Sequence, residues 1–403
     1  MKAGPARARV IRFPLPTGDG RPRPARAAKG MPGRSGVLLE LRDPESRAGW
    51  GEASPLPGFT NDSPEQASGA LLGLLADPDA MSVLFRAARQ LAGSSGAVPR
   101  DRLLPDDAAV VLHEVHRHSP SARAAVVSAL FDLAGRRAGL PTHELLLAAV
   151  EGPEPARSGY PVNALIPLTG REAALDAAGE AHRRGIDVLK AKLGAGEELE
   201  RQLGLLRLVR SEYGASVRLR LDANGAWAED ECPRILDRLA PLDPEYVEEP
   251  VSGSALLELA GSPVPLAADE SLRDPELASS LLASQAISVF VLKPSVLGGI
   301  DRCLELGSRA IERGRRCVVT HAFEGPVAHG AACEAALALA ALASDVAGWQ
   351  VPAQGLDRLG VLDQWTDIAV PQLRGPGVLP AEVSGHGIDP APLIERAAGA
   401  GRI

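Results

Sequence analysis

Apolar residues recur at strand-like spacing in three N-terminal stretches, VIRFPLP, GVLLELRD and GWGEASPL, each broken by Pro or Gly. This predicts a small antiparallel sheet. Helical spacing follows: Ser63, Pro64 and Gln66 supply an N-cap, a first-turn proline and a capping-box partner ahead of Leu71, Leu72, Leu74 and Leu75. A second start at Ser119 and Pro120 leads into Val126, Leu130 and Leu133, and that helix stops before Gly139 and Pro141. From about residue 160 short apolar runs alternate with helical segments, the signature of βα units in an α/β fold. Strands are expected near 162–167, 187–193, 217–223, 244–249, 265–270, 287–294, 316–321 and 348–350. Seven or eight such units favour a closed barrel over an open doubly wound sheet, because no GxGxxG or GxxxxGK[ST] loop follows any of these strands.

Length and composition narrow the field. With 403 residues, 45% hydrophobic and 23% charged, the chain falls in the range of water-soluble globular proteins of one large domain or two ordinary ones. A net charge of -8 argues against nucleic acid or an anionic membrane as partner. No apolar run has the length of a membrane span, and the first residues lack a secretory pattern, so a cytoplasmic location is expected. Cys232, Cys303, Cys317 and Cys333 form no CxxC pair and read as reduced, buried thiols.

Of 43 Lys and Arg residues only five are lysine: Lys2, Lys29, Lys190, Lys192 and Lys293. Arginine keeps its proton near neutral pH, whereas lysine can surrender one when its surroundings disfavour the charge. The last three lysines lie in apolar, strand-like stretches, VLKAKLG and ISVFVLKPSV, which points them toward chemistry. Asp222, Glu248 with Glu249, and Asp269 with Glu270 close three successive strands, and Lys293 closes the next. The spacings of 26, 21 and 24 residues from Asp222 to Glu248, Asp269 and Lys293 each match one βα unit. All four positions therefore meet at the C-terminal mouth of a parallel barrel, where active sites of this fold are built. Three carboxylates there call for a hard divalent cation, magnesium or manganese in its place. Lys190 and Lys192 share a strand face and look into the barrel, opposite Lys293. That arrangement suits removal of a proton next to the carboxylate of a small-molecule substrate, with like-charged neighbours and the metal lowering the lysine pKa.

The stretches VLKAKLG, LRLDANGAW, YVEEP, ADES and VLKPSVLGG resemble the enolase superfamily in its muconate-lactonizing subgroup. GWGEASPLPGF, SALFDLAGRRAGLP and AQGLDRLG resemble the o-succinylbenzoate synthases within it. The resemblance implies a modified (β/α)7β TIM-type barrel over residues 156–371 and an α+β capping domain over 1–155, on which the tail 372–403 packs back. It implies metal ligands Asp222, Glu248 and Asp269, a base at Lys192 tuned by Lys190, and Lys293 holding the enolate. The Arg-rich loop near 17–36 would close over the substrate. The reaction implied is magnesium-dependent syn-dehydration of 2-succinyl-6-hydroxy-2,4-cyclohexadiene-1-carboxylate in menaquinone biosynthesis. An N-acylamino acid racemase, dipeptide epimerase or cycloisomerase shares the same lysines and ligands, and a non-catalytic binding barrel is the remoter alternative.

Other residues carry two readings. Glu249 and Glu270 read as neighbours of the ligands, with Glu249 also open as a ligand itself. Asn224 shares the face of Asp222 and serves either the metal surroundings or a turn. The strand at VVTHAFEG departs from the paired serines that relatives carry before an acidic residue, so Thr320, a candidate substrate contact, His321 and Glu324 match that pattern loosely, and His321 either contacts substrate or packs and bonds to a backbone carbonyl. His113, His116 and His118 in HEVHRH read as a solvated helix face. No GxSxG or HExxH pattern supports hydrolysis.

Overall fold

The computed structural model describes residues 7–15, 34–93, 103–357, 365 and 367–399. The expected loop near 17–36 falls almost wholly outside them.

Strands β1 (Arg7–Leu15), β2 (Arg34–Arg42) and β3 (Ala48–Ala53) form an antiparallel sheet in that order. Helices α1 (Pro64–Leu75), α2 (Pro78–Gly93), α3 (Asp106–His118), α4 (Pro120–Ala138) and α5 (Thr142–Ala149) accompany it. Ser63 accepts from Gln66 N while Gln66 accepts from Ser63 N, completing the capping box of α1. Ser119 caps α4, and Gly139 at φ 73° ends it. The glycines of GWGEA have a packing cause: a Cβ on Gly51 would stand 1.8 Å from the Ala125 carbonyl oxygen, and one on Gly49 2.3 Å from that of Ala129. β3 thus lies directly on the backbone of α4.

After β4 (Tyr160–Pro161), seven parallel strands follow in sequential order: β5 (Ala164–Ile166), β6 (Val188–Lys192), β7 (Arg218–Asp222), β8 (Pro244–Glu248), β9 (Leu266–Ala268), β10 (Val289–Leu292) and β11 (Arg316–Val319). Outside them run α6 (Arg171–Arg183), α7 (Gly196–Tyr213), α8 (Cys232–Leu239), α9 (Pro275–Ala283), the short α10 (Pro294–Leu297), α11 (Ile300–Glu312) and α12 (Pro326–Ser344). The strand expected at 348–350 is not there. Gln354 and Gly355 close the barrel instead, bridging Val162 and Thr320 through Gln354 N to Pro161 O, Asn163 N to Gln354 O, Gly355 N to Val319 O and His321 N to Gly355 O. Two residues supply the pairing for which the sequence pattern suggests a strand.

Tyr246, Ala267, Val289, Val291 and Val318 form a separate buried cluster within this sheet. Beside it Arg220, fully buried, stacks on Tyr246 at 5.0 Å and donates to Glu245, Asn163 and the Ala353 carbonyl. α12 is apolar enough to cross a membrane by length and composition, but 89% of that stretch is buried in this fold. The four cysteines are buried and unpaired, and burial raises the thiols of Cys232 to about 11 and Cys317 to about 12.

The C-terminal segment touches both units. β12 (Leu373–Arg374) pairs with β13 (Gly377–Val378), which pairs with β4, Asp132 of α4 accepts from His386 N, and α13 (Ala391–Gly399) packs on β1. Glu52 of β3 reaches across to accept from Gly325, Val327 and Ala328 N, capping α12 from another sheet.

The HEVHRH tract is partly a solvated face, since His113 and His118 are exposed on α3. His116 departs from that reading: it is half-buried, and Arg302 Nη1 lies 3.1 Å from its Nε2. Burial, then Arg302 and Arg123, lower its pKa to about 4. The folded ring therefore resists a proton that the unfolded ring takes near 6.5, so stability declines as pH falls from about 6.5 toward 4. His116→Gln is expected to remove about 1 kcal/mol of that decline, a value reduced by solvent screening at a half-exposed site. Urea midpoints of both proteins at pH 7.5 and pH 5 check it.

Candidate active site

β6, β7 and β8 bring their ends into one register: Lys192 pairs with Asp222, and Asp222 with Glu248. Asp269 follows β9 and Lys293 follows β10, so all sit at the same mouth. Side chains two apart on a strand share a face, which places Lys190 below Lys192. Lys190 Nζ donates to Glu248 Oε1 at 2.7 Å and Oε2 at 2.6 Å, and lies 3.0 Å from Asp222 Oδ2. Lys192 Nζ donates to Asp222 Oδ2 at 2.9 Å and to Asn224 Oδ1 at 2.5 Å. Lys293 donates to Asp269 Oδ2.

These pairings decide the charges. Burial opposes the ion on Asp222, but Lys190, Lys192 and Lys293 hold its carboxyl far below the usual range. Burial likewise opposes the ammonium of Lys190, yet Asp222 and Glu248 raise its pKa well above the usual value. Lys293 is raised by Asp269 and Glu270 in the same way. This reverses the expected lowering: the nearest neighbours of Lys190 and Lys293 are carboxylates rather than cations. Asp269 is driven well upward by burial and by the Glu270 and Glu248 charges.

As the side chains stand, no three Asp, Glu, His or Cys groups among the described residues are gathered to hold an ion. Each carboxylate of Asp222, Glu248 and Asp269 is closed on a lysine instead. The donor chemistry still fits a hard cation: all three are buried oxygen donors, and Asp222 and Glu248 already share one positive charge, the Lys190 ammonium.

Glu249 turns elsewhere. At φ 41° its side chain accepts from Asp269 N, Ser271 N and Ser271 Oγ, holding the turn that carries Asp269. Burial pushes its carboxyl up to about 7. Asn224, at φ 48°, accepts from Lys192 and donates to Glu270 at 3.0 Å, so it serves both a turn and the mouth. Thr320 Oγ1 is bound to Gly355 O at 3.0 Å. Glu324 accepts from Ser295 and from Ala322 N.

Phe59, whose role sequence reasoning missed, comes from the first unit. Its ring lies 5.8 Å from Lys192 Nζ and 5.6 Å from Lys293 Nζ. Arg273 holds the Phe59 carbonyl at 2.7 Å. The PLPGF motif was visible, but its lysine partners lie more than 130 residues away in the chain. A cavity open to solvent is lined by Phe59, the three lysines, Asp222 and His321 among others. Asp357 at its edge is paired bidentately with Arg184.

A family model described as Enolase C-terminal domain-like matches residues 173–391. The o-succinylbenzoate synthase of Thermobifida fusca is 36% identical over 190 residues, 46% of this chain and 58% of that protein. The hydrophobic dipeptide epimerase of Enterococcus faecalis is 29% identical over 217 residues, 52% of this chain and 58% of that protein. The aligned stretch thus spans less than two thirds of either relative. Among solved structures, a dipeptide epimerase from Methylococcus capsulatus, complexed with Mg and the dipeptide L-Arg-D-Lys, aligns with a TM-score of 0.72 at 25% identity, covering 96% of this chain and 99% of that one. With its sequential parallel barrel and a matched stretch of more than half its length, the chain belongs to the enolase superfamily.

Proposed function

We propose that this chain is an o-succinylbenzoate synthase, dehydrating 2-succinyl-6-hydroxy-2,4-cyclohexadiene-1-carboxylate to the aromatic product. The observation that carries the chemistry is the pair of lysine amino groups, Lys192 Nζ and Lys293 Nζ, on one Phe59 ring beside three buried carboxylates. Likeness to the Thermobifida fusca synthase supports this choice of substrate. Asp222, Glu248 and Asp269 would hold Mg2+, or Mn2+ in its place. When bound, the ion supplies positive charge against the anion that develops on the substrate carboxylate.

Lys192, as the free amine, takes the proton α to the carboxylate and becomes an ammonium. The electron pair moves into the carboxylate, where the Lys293 charge faces it. The pair then returns to expel hydroxide from the neighbouring carbon, and the Lys192 ammonium gives its proton to the departing oxygen. Water leaves, the ring becomes aromatic, and Lys192 is neutral again. One group handling both proton and leaving group accounts for loss from a single face. Asn224 keeps Lys192 in position, and Lys190 keeps Glu248 and Asp222 together.

Facing lysines also suit transfer of a proton from one face of an α-carbon to the other, so racemisation or epimerisation is the second reading. Incubation with Mg2+ in deuterated water separates the two. We expect conversion of the cyclohexadiene carboxylate to 2-succinylbenzoate; deuterium entering N-acylamino acids or dipeptides without that conversion overturns the assignment.

A further inference from the structure

The end of β11 has four consecutive backbone donors, and all are consumed inside the protein. Thr320 N goes to Leu292 O, His321 N to Gly355 O, Ala322 N to Glu324 and Phe323 N to His321 Nδ1 at 3.2 Å. Thr320 Oγ1 is bound to Gly355 O. One donor position is left over on this strand end, Nε2 of His321, on a residue that lines the cavity with Lys190, Lys192 and Lys293.

Its chemistry follows from its surroundings. Nδ1 accepts a hydrogen bond from Phe323 N, so it carries no proton, and the proton of the neutral ring must sit on Nε2. The ring remains neutral because burial, His329 and the nearby ammonium groups all oppose a further charge. It is also held in place, edge-on to Phe323 at 5.3 Å and tilted against His329 at 5.3 Å. His321 is only 9% exposed, and among the described residues its ring is hydrogen-bonded through Nδ1 alone. A fixed, neutral N–H on a residue that lines a cavity recognises an oxygen acceptor and disfavours a cation.

We propose that His321 is a specificity-determining residue whose Nε2–H binds a second oxygen group of the substrate, a carbonyl or carboxylate away from the reacting carboxylate. This rests on the synthase reading and deepens it: the substrate class is an acid with a distal oxygen acceptor, rather than a peptide with a free ammonium group at that position.

The two ring nitrogens allow a sharp test. A glutamine amide reaches the place of Nε2, whereas an asparagine amide reaches that of Nδ1. His321→Gln, His321→Asn and His321→Phe are titrated, in magnesium-saturated protein, with 2-succinylbenzoate and with benzoate, which lacks the distal group. Calorimetry is expected to give near wild-type affinity for 2-succinylbenzoate in Gln and about 30-fold weaker binding in Asn and Phe, with benzoate binding unchanged throughout. Rescue by Asn instead of Gln would assign the ring a structural role through Phe323, and equal binding in Phe would remove it from recognition; either result overturns the proposal. Wild-type protein that binds 2-succinylbenzoate in a His321-dependent way but does not dehydrate its precursor overturns the synthase reading alone. Failure of wild type to bind it overturns both.

Discussion

Lys192→Ala is expected to lower kcat for dehydration by 10³ to 10⁴-fold, about the full contribution of a positioned acid–base group, with little change in stability. Lys192 is the most exposed of the three site lysines, at 27% of its side chain, so its removal leaves no buried void of consequence. Lys192→Arg should be just as inactive, because a guanidinium keeps its proton at any working pH. Lys293 separates from it in the same experiment. If Lys293 acts by charge alone, Lys293→Arg retains measurable turnover and Lys293→Met loses it. Stopped-time assays of product absorbance on the four variants, beside circular dichroism to verify folding, read the difference. Equal residual activity in Lys192→Arg and Lys293→Arg would erase the division of roles, and near wild-type turnover in Lys192→Ala would remove the base.

The meeting of these residues at one mouth was readable before any coordinates because strand ends in a parallel barrel are periodic. Asp222, Glu248, Asp269 and Lys293 recur at one βα spacing, and register then brings them together whatever the helices between them contain. Features outside this periodicity were not legible. Gln354 and Gly355 close the barrel with two bridging residues, too few to leave an alternating pattern, so the strand expected at 348–350 was misplaced by a few residues. Glu248 and Glu249 look equivalent in a sequence, and only the φ of 41° at Glu249 sends its carboxylate to the backbone of Asp269 and Ser271. Phe59 and Glu52 act on groups of the barrel unit, the lysines at its mouth and the start of α12, a relation set by docking of the two units. The upward shifts of Lys190 and Lys293 were hidden for a related reason. Sequence shows how many cations and anions converge, but the direction of each shift depends on which oxygen each ammonium touches.

Among the links between the two units is one buried pair whose loss should have a large effect on stability. Arg123 of α4 donates to Asp301 Oδ1 at 3.0 Å and Oδ2 at 2.7 Å, and to the Gly298 carbonyl at 2.6 Å. Both side chains are under one-tenth exposed, so the pair is hardly screened. Gly298 and Gly299, at φ 95° and 151°, follow the short helix α10 that starts just after Lys293, so the same clamp fixes the backbone beyond a site lysine. Arg123→Met keeps most of the volume but strands the Asp301 carboxylate in the interface, which costs about 3–5 kcal/mol. A urea midpoint well below wild type at pH 7 is the expected result. The double variant Arg123→Met/Asp301→Leu removes the stranded charge and should recover most of the loss. If it is as unstable as the single variant, the cost lies in packing and in the Gly298 carbonyl left without its donor. If the single variant is as stable as wild type, the two units are held together by the capping of α12 by Glu52 and by the C-terminal strands, and Arg123 contributes orientation only.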